Sequence, residues 1–467
     1  MSNRSFRIGI KALDDILGNI LVPKTLMVIR GDTGTGKTIL ASTICHTNAV
    51  EGHRCLYISS IEDKAKIYEK MKALGMDFEE IEKKGLIQFY KLPIAVKRDT
   101  LVKIAIDIHS LINEYNPGVV VFDSPTPLMR LIQDRASGRD VLEDLLNELF
   151  RGVNGLVVLI MGEDRHRGYF EGIDIEFLAD IILTLKHEIK NNVLSRVIEI
   201  TKARNARVGI AAIPFTIVDG RGIVAHEPIM LQEIPSLKPE RLSIPCKILS
   251  DYIEDLHKGQ VIYVTYPSDA RPLPLIFIVF GTIVVNSLKS VFISYKYSPY
   301  ETRDLVKRGF RSIGLDPELV DKIVEKYFIL KGINPAASNE QQYIWEIEMI
   351  KTHKPDAVIF HGVDIVANIR DPYMYRLGLL NQIFQFKKMG ILVIRLGSYD
   401  EKWYSWNTTI SDVVIRFELA GDRFGQPNYR VYIWRTGKPP MILDYKQLEK
   451  CIYEIGNALK KYCQENL

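Results

Sequence analysis

The chain predicts an α/β protein made of two tandem domains, each a mostly parallel sheet flanked by helices. Three observations carry this. Short apolar runs alternate with helical patterns through the first half, the mark of a parallel sheet covered by helices. The runs are continuous rather than alternating, as strands buried on both faces require. The same order of elements then returns in the second half, at a spacing of about 235 residues. A length of 467 residues with 47% hydrophobic and 25% charged residues is that of a globular protein with more than one core. A net charge of +4 is too small to argue globally for a nucleic-acid partner.

The first strand, Leu26–Arg30, runs into Gly31-Asp32-Thr33-Gly34-Thr35-Gly36-Lys37-Thr38, and a helical pattern opens at Thr38. This fits G-x-x-x-x-G-K-[ST], the phosphate-binding loop, in the strand–loop–helix context the motif needs. Glycines let backbone N–H groups converge on phosphate oxygens, and the helix adds its positive end. Lys37 is positioned for the β- and γ-phosphates and Thr38 for Mg²⁺, so ATP and Mg²⁺ are the expected cofactors.

The next strands are Cys55–Ser59, Ile87–Tyr90, Val119–Phe122, Leu156–Met161, Ile181–Leu185 and Val197–Thr201, with helices over Asp63–Leu74 and Leu101–Glu114. Asp123 at the tip of a buried strand is the expected second metal-holding group, against the alternative of a turn cap. Glu62, after the second strand, is a candidate to orient the attacking water; helix-start stabilisation explains it equally well. Glu163 follows the strand Leu156–Met161 and either senses the γ-phosphate or sits in a solvated turn. Lys202 and Arg204 lie on alternate strand positions and so aim at one target, a neighbouring subunit's phosphates or plain solvent.

In the second half Val261–Thr265 matches the strand before the loop, Ser290–Ser294 matches Cys55–Ser59, and Ala357–Phe360 matches Val119–Phe122. Where the loop would stand, Thr265-Tyr266-Pro267-Ser268-Asp269-Ala270-Arg271-Pro272 has no glycine, and prolines remove backbone donors. His361 takes the place of Asp123, and Lys296-Tyr297 the place of the carboxylate after the second strand. The expectation is a degenerate copy that keeps the fold and loses Mg–ATP. The domains are read as 1–228 and 246–467, joined by a linker over 229–245. The apolar stretch from Leu273 to Val285 is too short for a membrane span and reads as a buried helix. Five cysteines with no C-x-x-C pair read as structural thiols in a reducing compartment, and the start of the chain has no apolar signal core, so the expected location is cytoplasmic.

The first half resembles the KaiC-like branch of the RecA/RadA P-loop ATPases. The lead-in Gly9-Ile10-Lys11-Ala12-Leu13-Asp14-Asp15-Ile16-Leu17-Gly18 carries this, with the loop, Asp123, Glu163, Asp180, Lys202/Arg204 and Pro214-Phe215-Thr216-Ile217. The duplicated layout is similar to two-domain KaiC, and archaeal relatives of this layout include signalling proteins and gas-vesicle regulators of the GvpD type. The resemblance implies two RecA-like domains, a homo-oligomeric ring such as a hexamer, ATP at subunit interfaces, and Lys202 and Arg204 acting in trans. Members carry two glutamates after the second strand; here the first position is Ile61, which accepts no proton, followed by Glu62. Losing a general base costs roughly 10²–10⁴-fold in rate, so slow hydrolysis, confined to the first domain, is expected. The second domain then serves as scaffold or protein-partner surface. Thr408-Thr409-Ile410-Ser411-Asp412 is similar to the segment KaiC autophosphorylates, but reads here as a polar lead-in to a strand. The runner-up function is a RadA-like repair accessory binding single-stranded DNA through Arg165-His166-Arg167-Gly168-Tyr169-Phe170, with cations beside aromatics.

Overall fold

The computed structural model describes residues 5–93, 98–125, 152–162, 175–190, 193–209, 211–225, 233–237, 240–269, 274–336, 339–419 and 429–466. The chain divides into two compact units, Met1–Pro228 and Ile229–Leu467. Each has the architecture of a RecA-like domain.

The first unit holds strands β1 (Thr25–Gly31), β2 (Cys55–Ser59), β3 (Ile87–Lys91), β4 (Val119–Asp123), β5 (Leu156–Gly162), β6 (Ile181–Lys190), β7 (Val193–Ala203), β8 (Ala212–Val218) and β9 (Gly222–Ala225). They form one sheet in the order β3-β2-β4-β5-β1-β6-β7-β8-β9. Pairing is parallel from β3 to β6 and antiparallel from β6 to β9. Helices α1 (Lys11–Leu17), α2 (Lys37–Val50), α3 (Lys64–Ala73), α4 (Phe78–Lys83) and α5 (Arg98–Tyr115) flank it. Alternate residues of β1 feed two cores. Met27 and Ile29 pack with Leu40 and Ile44 of α2, while Leu26 and Val28 pack with Ile104, Ile108 and Ile112 of α5. Because β1 lies between β5 and β6, the turn at its end opens in the middle of the sheet's carboxyl edge. Open α/β sheets place ligands at this edge, where strand order reverses.

The lead-in has a packing reason. Asp14 accepts the backbone N–H groups of Ile8 (2.6 Å) and Gly9 (3.1 Å). Gly9 lies at φ +83°, and a Cβ there would stand 2.1 Å from Thr47 Oγ1 on α2. The lead-in thus lies against the helix that starts at the phosphate loop.

The β6–β7 hairpin is longer than its apolar runs suggest. Lys186, His187 and Glu188 interrupt the hydrophobic pattern, yet the ladder continues to Lys190–Val193. Lys186 pairs with Glu199 across it at 2.7 Å, a cross-strand contact that supports a solvated hairpin.

The second unit repeats the order. Strands β10 (Arg241–Leu242) and β11 (Leu256–His257) pair separately; Arg241 and Leu242 fall in the stretch read as a linker. Strands β12 (Val261–Tyr266), β13 (Ser290–Ser294), β14 (Phe328–Gly332), β15 (Ala357–His361), β16 (Leu392–Ser398), β17 (Val413–Leu419), β18 (Tyr429–Arg435) and β19 (Met441–Leu443) form a sheet in the order β14-β13-β15-β16-β12-β17-β18-β19. This matches the first sheet strand for strand from β3 to β8. One device recurs in both. Asp180 accepts the N–H of Leu26 at 3.0 Å, and Asp412 accepts that of Val261 at 2.8 Å, each tying the central strand to its neighbour.

The stretch ending at Val285 is a helix, Pro274–Val285, buried from Ile278 to Val284. Among the described residues no helix is long and apolar enough to cross a membrane. The cysteines depart from the sequence reading. Cys45 is disulfide-bonded to Cys55 and Cys246 to Cys451, with Cα–Cα distances of 5.9 and 5.0 Å, and Cys463 alone stays a buried thiol. Folding brings together Cys45 of α2 with Cys55 at the start of β2, and Cys246, just before the helix Lys247–Ile253, with Cys451 of the helix Tyr445–Asn466, 205 residues on, so no local spacing announces the pairs.

Candidate nucleotide site

The loop from Gly31 to Lys37 is glycine-rich because its backbone demands it. Gly31, Gly34 and Gly36 have φ of +146°, +82° and +106°. A Cβ on Gly31 would stand 2.2 Å from the carbonyl oxygen of Leu185 on β6, and one on Gly34 would meet open space. Gly36 precedes α2 and no side chain caps the helix start. The first-turn N–H groups of this 14-residue helix are therefore not occupied by a cap, as an anion cradle requires. Thr35 is buried and its hydroxyl donates to the Asp32 carbonyl at 2.8 Å, closing the turn. Lys37 Nζ lies against the loop, donating to the carbonyls of Gly31 and Asp32 at 2.7 Å each. Thr33 lies on the exposed side of the same turn.

Asp123 ends β4 directly across from the start of α2. Thr38 Oγ1 donates to Asp123 Oδ2 at 2.9 Å, and the Tyr57 hydroxyl donates to the same oxygen at 3.1 Å. Burial pushes the Asp123 carboxyl above the ordinary carboxylate range. The hydroxyls of Thr38 and Tyr57 pull it back, the charge of Glu62 adds to the rise, and Lys37 opposes it. Burial also holds the Tyr57 hydroxyl protonated, with its acidity suppressed further by Asp123. A hydroxyl beside a half-buried carboxylate, under a cationic loop, is a donor set that fits magnesium and a polyphosphate.

The other candidates divide. Glu62 faces the site from the end of β2, near enough for its charge to act on Asp123 and Tyr57. Its Oε1 is held by Lys70 (2.6 Å) and Lys66 (3.6 Å), while its Oε2 is buried without a hydrogen-bond partner among the described residues. Ile61 is 64% exposed, an apolar side chain presented outward where a glutamate was expected. Lys202, near the end of β7, and Arg204, one residue past it, converge on one carbonyl. Lys202 Nζ and Arg204 Nη2 both donate to the Phe177 carbonyl, at 3.0 and 2.6 Å. Glu163 and Arg165–Phe170 lie outside the described residues, as do Arg271 and Pro272. Tyr57 escaped the sequence reading. Its signal was a tyrosine two residues before the end of an otherwise apolar strand that neighbours the Asp123 strand.

Residues 6–229 match the family model described as the KaiC ATPase. The first unit is a KaiC-like ATPase domain of the RecA superfamily. Relatives include the circadian clock oscillator protein KaiC of Thermostichus vulcanus, 27% identical over 187 residues, which cover 40% of this chain and 33% of the relative. The KaiC of Picosynechococcus sp. is 24% identical over 257 residues, 52% of this chain and 47% of the relative. That of Synechococcus elongatus is 24% identical over 244 residues, 52% and 46% respectively. The chain thus spans a third to a half of the length of these curated relatives.

Beside this KaiC-like domain, the second unit presents different chemistry at the matching strand tip. His361 replaces the carboxylate and is buried, its Nδ1 3.0 Å from Ser294 Oγ. Ser294 Oγ accepts the N–H groups of Lys296 (3.2 Å) and Tyr297 (2.9 Å), and the Tyr297 ring stacks on the His361 ring at 5.5 Å. Thr408 and Thr409, read as lead-in to a strand, instead end the helix Glu401–Thr409, where Thr409 Oγ1 donates to the Ser405 carbonyl at 2.9 Å.

Proposed function

We propose that the first unit binds Mg–ATP at Gly31–Thr38 and Asp123 and hydrolyses it slowly, within a homo-oligomer whose second unit is a scaffold without nucleotide chemistry. The observation that carries this is the contact of Thr38 Oγ1 with Asp123 Oδ2 at 2.9 Å, beneath a loop whose three glycines hold positive φ. Loop N–H groups and Lys37 take the phosphate oxygens. Thr38 and Asp123 hold Mg²⁺, which when bound neutralises charge on the β- and γ-phosphates. Glu62, with one carboxylate oxygen unpartnered among the described residues, orients water in place of the absent glutamate at Ile61. Lys202 and Arg204 serve a neighbouring subunit's site from the end of β7.

The second unit supports the asymmetry. A ring stacked on Tyr297 and bonded to Ser294 fills the position where a metal-holding carboxylate would stand. Native mass determination with and without Mg–ATP tests the proposal, together with phosphate release. One nucleotide per chain is expected, with mass of a multiple of the chain. Lys37→Ala should weaken binding by roughly 10–100-fold, the worth of one charge-assisted hydrogen-bonding group. Two nucleotides per chain, or wild-type binding retained by Lys37→Ala, would overturn it.

A further inference from the structure

Tyr57 is a fully buried tyrosine in β2. Its ring has little freedom. It stacks on Phe89 with centroids 5.8 Å apart and planes 10° apart, and meets Phe78 edge-on at 6.4 Å. The hydroxyl is therefore delivered to one place, 3.1 Å from Asp123 Oδ2. Behind it, Ser42 Oγ donates to the Tyr57 oxygen at 3.5 Å. Ser42 stands one helical turn after Thr38 on α2, so the two hydroxyls share a face of the helix. The result is a chain of donors, Ser42 to Tyr57 to Asp123, that meets a second donor, Thr38, on the same carboxylate oxygen.

We infer that Tyr57 is a positioning residue for magnesium, holding the Asp123 carboxylate in the orientation that the metal uses. This rests on the reading of Gly31–Thr38 and Asp123 as an Mg–ATP site. That reading turns a lone pair of the Thr38 oxygen toward the metal, so the metal sets the direction of that hydroxyl. Tyr57 is the donor on Oδ2 whose direction the protein's own packing fixes. The second unit supplies an independent comparison. The residue at the matching strand position is Phe292, and the residue its ring faces, at 5.9 Å, is His361. The hydroxyl is present in the unit that has the carboxylate and absent in the unit that has lost it. Partners that orient a metal-holding carboxylate act on metal affinity, with losses of roughly 10–100-fold on removal.

The test is a Mg²⁺ titration of the binding of a fluorescent ATP analogue to the full chain, for wild type, Tyr57→Phe, Ser42→Ala and Lys37→Ala. Tyr57→Phe keeps the ring packing and deletes only the hydroxyl; thermal unfolding of each variant reports the fold. The Mg²⁺ concentration for half-saturation should rise about tenfold in Tyr57→Phe, while analogue binding in the absence of Mg²⁺ stays at the wild-type value. Ser42→Ala should move the Mg²⁺ requirement in the same direction by less. Lys37→Ala should instead weaken binding with and without the metal. A Tyr57→Phe titration that overlays the wild type would overturn the role of Tyr57 alone, as would a larger effect from Ser42→Ala. Failure of the wild type to bind the analogue under any condition would overturn the site reading, and this inference with it.

Discussion

At the scale of single residues, the step from binding to hydrolysis turns on positions 61 and 62. Ile61 is an exposed aliphatic side chain where the resemblance leads one to expect a proton acceptor. Glu62 is next to it, but two lysines of α3 compete for its carboxylate. A carboxylate oxygen engaged by two ammonium groups is not free to orient water, which supports the proposed slow turnover beside the missing glutamate. Two substitutions separate these effects. Ile61→Glu should raise phosphate release by roughly 10–100-fold, within the range of a positioned general base. Glu62→Gln should lower the residual wild-type rate about tenfold if Glu62 is the stand-in base. Both are read as initial rates at saturating Mg–ATP, and both should leave nucleotide affinity near the wild-type value. An Ile61→Glu variant as slow as the wild type would show that residue 61 does not limit the rate.

At the scale of elements, the second unit buries a hydrogen-bonded polar cluster under one of its helices. Beneath the helix Asn339–His353, the carboxylate of Glu346 is buried and receives Tyr295 Oη (2.6 Å) from beyond the end of β13 and the Gln342 amide (2.7 Å) from the same helix. Gln382 donates to its other oxygen from the helix Pro372–Met389. Arg370 fixes Gln342 by donating to its carbonyl at 2.7 Å. Burial raises the Glu346 pKa, against the three hydrogen bonds and Arg370, which lower it. The folded protein therefore binds this proton more tightly than the unfolded chain does. Its contribution to stability is fully present below the ordinary glutamate range and is lost as pH rises through the raised folded value. Glu346→Gln should flatten that fall in thermal unfolding of the second unit. It should also cost about 1–3 kcal/mol, because a Gln Nε2 would face a donor at a position where a carboxylate oxygen accepted one. None of this was legible in the chain, since a glutamate at helix position 346 reads as solvated until the opposing Tyr295 and Gln382 are seen. The parallel strands were legible because burial on both faces leaves continuous apolar runs, as in Val119–Phe122. The far half of the β6–β7 hairpin and the strands β8 and β9 were not, because Lys186, His187 and Pro214 break that pattern without breaking the ladder. Of the nucleotide site, the loop and Asp123 were readable from local order. Tyr57 and the Cys45–Cys55 pair were not, because their partners come from other elements.

At the scale of the whole molecule, two units with separate cores and unequal chemistry should unfold as two transitions. The first core is built on β1 and α2, and the second on β12 and the helices Pro274–Val285 and Tyr445–Asn466. A ligand that binds one native unit stabilises that unit alone, by RT ln(1 + [L]/Kd), or about 2.7 kcal/mol at a hundredfold excess over Kd. Mg–ATP should therefore raise one calorimetric transition and leave the other in place. Reductant should act in the opposite pattern. The Cys45–Cys55 bond closes a separation of 10 residues in the first unit, and Cys246–Cys451 closes 205 in the second. In the chain-entropy model loops of these lengths are worth about 3 and about 5 kcal/mol, so reduction should lower the transition that Mg–ATP leaves unmoved by more than the one it raises. Lys37→Ala, with affinity lowered roughly 10–100-fold, should shrink the ligand stabilisation at the same concentration to about 0.4–1.4 kcal/mol without touching the reductant shift. Cys451→Ser should do the reverse, lowering the second transition without affecting the response to Mg–ATP. A single transition that moves with both reagents would mean that the units fold as one, and the asymmetry between them would then have to be sought in the nucleotide count rather than in stability.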